Sequence, residues 1–142
     1  QHFSSGVNLN AFLTLIRSKD WVGIDKFLHK FQQAVRSLKF LPVPVVGAPS
    51  GMAIGGGFEV LLHSDKIVAH SNSVLGLVES GVGLIPGGGG VKETYLRCFE
   101  KLDNQDDAAW KTWMQIGYGQ TGTSPEKSSE LFYYLSELFS HF

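Results

Sequence analysis

The sequence predicts an α/β fold, because short runs of β-branched residues alternate along the chain with glycine turns and helical segments. We predict strands at 42–49, 66–70 and 74–78, and helices at 20–39, 58–63 and 91–99. Most of the 17 glycines lie between residues 50 and 90, together with Glu59 and Glu79. Because functional groups of α/β folds gather at strand ends, this glycine-rich stretch is the candidate active site.

The composition is that of one globular domain: 142 residues, 43% hydrophobic and 18% charged. A net charge of −1 without a lysine or arginine run excludes a nucleic-acid surface, and no apolar run reaches the roughly 20 residues of a membrane span. The single cysteine, Cys98, cannot form an internal disulfide. This favours a reducing compartment, which we expect to be the bacterial cytoplasm, with the mitochondrial matrix as the alternative.

The first 40 residues predict the end of a strand and one long helix. Phe3 to Leu9 reads as a strand that breaks into a loop, and the chain begins at Gln1 without methionine, so we expect a fragment of a longer protein. From Asp20 to Lys39 the apolar residues recur at helical spacing, with Asp20 as the cap. The cationic face of this helix is interpreted as a solvated face.

The central stretch predicts two glycine turns that flank two acids. The prolines around 42–49 bound one buried strand, which leads to Gly55, Gly56 and Gly57 and then to a short helix carrying Glu59. Glu79 follows twenty residues later, at the end of the strand 74–78, and a second glycine turn spans 87–90.

The C-terminal part is predicted to be helical, so we divide the chain into a core at 1–100 and a helical segment at 101–142. A polar linker at 102–107 precedes tryptophans at helical spacing, interpreted as core or a docking surface. Ser124 and Pro125 begin a last helix. The aromatic residues from Leu131 to Phe139 predict a surface for a partner.

The glycine spacing excludes two nucleotide-binding motifs. The phosphate-loop pattern from Gly51 meets Gly57 and Phe58 where lysine and serine or threonine are required, and the dinucleotide pattern from Gly81 meets Pro86 at its third glycine. The histidines have no metal-ligand spacing, so we predict no metal site; His63 and His70 are interpreted as surface or helix-end residues.

The remaining chemistry is proton transfer beside an oxyanion. Backbone N–H groups at a glycine turn can stabilise a developing enolate, and Glu59 and Glu79 can move protons. The alternative, left open by the residues alone, is that Glu59 is an exposed first-turn acid and Glu79 a loop acid.

Three segments together resemble the crotonase (enoyl-CoA hydratase/isomerase) superfamily: FSSGVNL, PVVGAPSGMAIGGGFEV and LGLVESGVGLIPGGGG. The resemblance covers residues 3 to about 97. It implies a crotonase-like ββα spiral that lacks its N-terminal strands. The last segment is most similar to the hydratase module of multifunctional β-oxidation proteins that carry a 3-hydroxyacyl-CoA dehydrogenase.

The resemblance also implies roles for site residues. The backbone N–H groups of Val7 and Gly56 would form the oxyanion hole, Glu59 would deprotonate water, and Glu79 would protonate the α-carbon of a trans-2-enoyl-CoA. Val7 and Asn8 stand where many relatives have Ala and Asp. The implied substrate contacts are Ser5, Gly6, Gly55, Pro86 and Gly87.

For partners, the resemblance implies an acyl-CoA thioester substrate, no bound cofactor or metal, and NAD only in a fused dehydrogenase domain. A homo-oligomer and a missing N-terminal part of the parent chain are expected as well. Two alternatives remain: a Δ3,Δ2-enoyl-CoA isomerase that uses Glu79 alone, and a non-catalytic domain that packs against a dehydrogenase.

Overall fold

A computed structural model describes residues 1–135, in which six α-helices surround two small sheets. The helices are α1 (Leu9–Arg17), α2 (Trp21–Lys39), α3 (Gly56–Leu62), α4 (Gly90–Leu102), α5 (Gln105–Gly117) and α6 (Pro125–Glu130). The strands are β1 (Val46–Gly47), β2 (Met52–Ile54), β3 (Lys66–Ile67), β4 (Val74–Gly76) and β5 (Thr121–Gly122), and a 3-10 turn spans Glu79–Val82.

The sheets bring the two glycine-rich segments together. β2 pairs in parallel with β4, which pairs antiparallel with β5, while β1 and β3 form a separate parallel pair. Ser4 adds a parallel bridge to Ala53 in β2. The loop after Ser4, the start of α3 and the turn after β4 therefore lie at one edge of the sheet.

The core lies between this sheet and α3. Its buried side chains are Ala53, Phe58, Leu61, Leu62, Leu75, Leu77 and Tyr133. The rings of Phe58 and Tyr133 are in contact, with 4.7 Å between their centroids. Burial of each large apolar side chain contributes about 1.5–3 kcal/mol, so this cluster fixes the position of α3.

Two predicted helix starts are confirmed, and a third lies two residues before the predicted Phe58. Asp20 caps α2 by accepting from the Gly23 N–H at 2.8 Å, and Ser124 caps α6 with Pro125 in the first turn. α3 begins directly after Gly55, whose φ of +56° and ψ of −132° are open to glycine and strained for other residues. α4 also exists, and extends beyond the predicted 91–99 at both ends.

The strand predictions were too long. Only two residues of 42–49 form a strand, and Val43 and Val46 are exposed, so the prediction of one buried strand is wrong. The reason is that β1 pairs with β3 alone, and that the prolines on either side lack the N–H needed to extend a ladder. The strands predicted at 66–70 and 74–78 end at Ile67 and Gly76.

The C-terminal part also differs from the prediction. No polar linker spans 102–107, because α4 continues to Leu102 and Asn104 caps α5, which begins at Gln105. Tyr133 is buried in the core of this chain instead of facing a partner, because the chain after α6 returns to the sheet. The Tyr133 hydroxyl donates to the Gln120 carbonyl at 2.7 Å. Leu138, Phe139 and His141 lie outside the described residues.

Helix α1 is absent from the sequence prediction. Asn8 caps it by accepting from the N–H groups of Asn10 and Ala11. None of the helices in the described part of the chain is both long and apolar enough to cross a bilayer. Within residues 1–135 no three acidic, histidine or cysteine side chains are grouped as a metal site would require.

Candidate active site

One cavity of about 340 Å³ joins the two glycine turns and both acids. Its walls come from the loop before α1, from α1 and α2, from the start of α3 and from the segment between Glu79 and Gly88. Val7, Gly56, Glu59 and Glu79 all line it. Segments that lie more than fifty residues apart in sequence thus meet at one site.

Glu59 is buried and held by backbone amides. Its side chain projects from the first turn of α3, and its Oε1 accepts from the N–H groups of Gly88 at 2.8 Å and Gly90 at 2.9 Å. The residue is 2% exposed, so the alternative of an exposed first-turn acid is excluded. Burial raises the pKa of Glu59, and the two amide hydrogen bonds only partly offset this effect.

Glu79 lies at the start of the 3-10 turn and is half-buried. Its Oε2 is buried, and no hydrogen-bond partner for this atom exists in the described part of the chain. Burial, and secondarily the charge of Glu59, raise the pKa of Glu79 to about 7. A carboxyl group with this pKa can both give and accept a proton near neutral pH.

Two backbone N–H groups at the cavity are free of protein acceptors. Within residues 1–135, neither the Val7 nor the Gly56 N–H donates to a protein acceptor. The loops that carry them are in close contact: a Cβ added to Gly56 would lie 3.3 Å from Cγ1 of Val7. Gly6 and Gly55 lie next to each other between these loops: a Cβ on Gly55 would lie 3.9 Å from Cα of Gly6. The same Cβ would lie 3.4 Å from Oε1 of Glu79.

The other candidate contacts are distributed unevenly. Gly87 lines the cavity, and its carbonyl accepts from Nε2 of Gln32 on α2 at 2.7 Å. Pro86 is buried and faces a neighbouring groove between α4 and α5. Ser5 is exposed and does not line the cavity.

Sequence reasoning missed the residues that hold Glu59. The run 87–90 was predicted only as a turn, yet two of its amides bind the carboxylate. Gly88 must lack a side chain, because a Cβ there would lie 2.7 Å from Oε2 of Glu59 and would collide with the Phe31 ring. The run of four glycines at 87–90 could have signalled a backbone that approaches another group closely.

A separate ionic cluster lies at the other end of α3. The carboxylate of Glu93 is buried and binds Nζ of Lys39 at 2.7 Å, Nζ of Lys92 at 3.0 Å and NH1 of Arg97 at 3.4 Å. Burial alone would raise the pKa of Glu93, but Lys39 and Lys92 keep it below its usual value. His63 ends α3 and is buried beside this cluster, so its predicted surface position is wrong, whereas its helix-end position is confirmed.

Comparison with known proteins places the chain in a family. Residues 1–100 match the family model described as enoyl-CoA hydratase/isomerase. The chain belongs to this family. The resemblance to crotonases is therefore confirmed, and with it the crotonase-like fold. Proteins of this family act on CoA thioesters.

Individual relatives agree with this assignment. A Bacillus subtilis protein named "Probable 3-hydroxyacyl-CoA dehydrogenase" is 37% identical over 131 residues, which cover 92% of this chain and 17% of that protein. The crystal structure of an enoyl-CoA hydratase from Polaromonas sp. JS666 superposes with a TM-score of 0.73 at 25% identity, covering 89% of this chain and 45% of the other. One from Geobacillus kaustophilus has a TM-score of 0.71 at 25% identity, covering 94% and 46%. The chain thus spans less than half of the length of each.

Proposed function

We propose that this chain is an enoyl-CoA hydratase module that adds water across the double bond of a trans-2-enoyl-CoA to give a 3-hydroxyacyl-CoA in fatty-acid β-oxidation. The observation that carries the proposal is the meeting of two carboxyl groups and two free N–H groups at one cavity. Membership of the enoyl-CoA hydratase/isomerase family supports it.

The oxyanion hole would be formed by the N–H groups of Val7 and Gly56. When water adds to the β-carbon, the thioester oxygen gains negative charge as an enolate, and two preorganised donors stabilise this charge more than that of the ground-state carbonyl. Loss of one such donor costs roughly 3 to 4 kcal/mol in other enzymes. Gly6, Gly55 and Gly87 would let the backbone approach the thioester closely.

Glu59 and Glu79 would share the proton transfers. In hydration, Glu59 as carboxylate takes a proton from the attacking water, whose oxygen bonds to the β-carbon. Glu79 as carboxylic acid gives its proton to the α-carbon, and the electrons of the enolate form the new C–H bond. The raised pKa values of both groups suit this exchange near neutral pH.

A Δ3,Δ2-isomerase would need only one proton carrier. The position of Glu59 at the same cavity, with its own pair of amide donors, favours hydration, because an isomerase acting through Glu79 alone leaves this carboxylate without a role.

The test is hydration of crotonyl-CoA by the intact protein that carries this sequence, compared with its Glu59→Gln and Glu79→Gln variants. Each substitution is expected to lower kcat by about 10²- to 10⁴-fold. Glu130→Gln is the matched control, since the side chain of this glutamate is exposed and lies outside the cavity, where it pairs with Lys127. Absence of hydration in the wild type, or unchanged rates in both variants, would refute the proposal. Retained isomerisation in Glu59→Gln with no hydration in the wild type would indicate the isomerase.

A further inference from the structure

The site cavity continues beyond the two acids as a hydrocarbon-lined space between α1 and α2. The side chains along this extension are Phe12, Ile16, Trp21, Ile24, Phe27, Leu28 and Phe31. Among the residues that line the cavity, only Glu59 and Glu79 are ionisable. An aliphatic chain attached to the reacting carbons would therefore be buried here without desolvating a further charge.

A second apolar cavity of about 200 Å³, open to the protein surface, lies on the far side of one wall of this space. It is lined by residues of α1 and by two residues at and just after the end of the 3-10 turn: Leu9, Phe12, Leu13, Ile16, Val82 and Leu84. Phe12, Ile16 and Leu84 line both cavities. These three side chains therefore form the partition between the space that holds the acids and the space that does not.

Phe12 is the bulkiest part of the partition, and its orientation is fixed. Its ring packs edge-on against Phe27 of α2, with 5.3 Å between the ring centroids and an interplanar angle of 83°. Such edge-to-face pairs contribute beyond their burial, so the ring has a preferred position at the end of the cavity.

Building on the proposed function, we propose that the acyl tail of the substrate lies between α1 and α2 and that Phe12 limits its length, so that the site selects short-chain acyl thioesters. A volume of about 340 Å³ is near the lower end for ligand sites and must also hold the reacting carbons. Removal of the Phe12 ring would join this volume to the second cavity and admit a longer tail.

A competing path leads into the groove between α4 and α5. That groove is larger, about 840 Å³, and shares Leu84, Ile85 and Gly87 with the site cavity. However, neither acid lines it, and neither do Val7 and Gly56. The path between α1 and α2 is favoured because it is part of the same cavity as the four groups that would act on the thioester.

The test compares binding of butanoyl-CoA and decanoyl-CoA to the intact protein by calorimetry. Each methylene newly buried favours binding about fourfold. Phe12→Ala is therefore expected to improve the Kd for decanoyl-CoA relative to butanoyl-CoA by at least about tenfold. Leu15→Ala is the matched control: it shortens another apolar side chain of α1, which packs against Gly23 of α2 and lines neither cavity, and should leave the ratio unchanged.

Two further variants make the result specific. In the Phe12→Ala background, Leu13→Trp should fill the second cavity and restore the wild-type ratio, while Ile116→Trp in the wild type, which fills the α4–α5 groove, should leave the ratio unchanged. Phe12→Trp enlarges the side chain and so creates no new cavity. It should weaken binding of decanoyl-CoA more than binding of butanoyl-CoA.

The outcomes separate the two proposals, because saturated acyl-CoAs bind without reacting. If both ligands bind and Phe12→Ala and Phe12→Trp leave their ratio within twofold of wild type, the tail assignment is overturned while the hydratase proposal stands. A ratio that responds to Ile116→Trp instead would place the tail in the groove. If neither ligand binds to the wild type, both proposals are overturned.

Discussion

Carboxyl groups near the two ends of helix α3 lie in opposite electrostatic surroundings. Near its first turn, Glu59 and Glu79 face a cavity. Backbone amides bind Oε1 of Glu59, and Oε2 of Glu79 has no hydrogen-bond partner among the described residues. At its last turn, Glu93 is surrounded by Lys39, Lys92 and Arg97. Burial acts on all three acids, yet it raises the pKa of the first two and is outweighed at the third.

This contrast distinguishes acids that can transfer protons from an acid that holds the fold together. A carboxylate neutralised by cations stays ionised and cannot give a proton near pH 7. A desolvated carboxylate without a cation has a raised pKa, at a cost in stability. The positions of Lys39 on α2 and of Lys92 and Arg97 on α4 therefore decide which of these three acids is available for chemistry.

The largest expected effect on stability concerns Glu93. Glu93→Gln leaves the buried guanidinium of Arg97 without its carboxylate, and removal of one partner from a buried ion pair costs about 3–5 kcal/mol. In Glu59→Gln the amide oxygen can still accept from Gly88 and Gly90, and no charge remains to be desolvated, so we expect little loss of stability. Urea unfolding at pH 7.5 measures both changes, with exposed Glu130→Gln as the control at roughly 0–1 kcal/mol. Equal losses for Glu59→Gln and Glu93→Gln would contradict the contrast.

A smaller effect is expected in the pH dependence of stability. The folded-state pKa of Glu79, about 7, lies above the ordinary value of 4.5 for this side chain. Between these pH values the unfolded chain ionises this group while the folded chain keeps its proton, so the wild type loses stability as pH rises and the loss is complete above pH 7.

Glu79→Gln removes this loss, and the comparison of the two proteins isolates it. The free energy of unfolding of the wild type relative to Glu79→Gln should fall by on the order of 1 kcal/mol between pH 5 and pH 8, a value reduced for solvent access to the half-buried side chain. Urea titrations at both pH values measure the difference. A difference that stays constant would show that burial does not raise the pKa of Glu79.

The sequence was informative where structure is local. Asp20 and Ser124 identify helix starts by their capping chemistry, and Gly55 marks the entry to α3. The family motifs predict site roles for Glu59, Glu79, Val7 and Gly56, and these four residues line one cavity.

The sequence was uninformative where contacts are distant. The two-residue strands β1, β3 and β5 form through partners elsewhere in the chain and leave little periodic pattern of their own. The burial of Glu93 and His63 and the return of Tyr133 to the core likewise depend on segments tens of residues away. The ring of Phe12 is part of the cavity only because α1 folds over α2.

The most direct measurement of the central claim is an NMR titration of the glutamate side-chain carboxyl carbons in the wild-type protein, assigned with the Glu59→Gln, Glu79→Gln and Glu93→Gln variants. We expect Glu79 to titrate near pH 7, Glu59 above and Glu93 below the ordinary glutamate value. Because Glu59 and Glu79 are electrostatically coupled, their two steps are assigned as a pair. If Glu79 titrated together with exposed glutamates, near 4.3, the assignment of Glu79 as the proton donor at neutral pH would be contradicted.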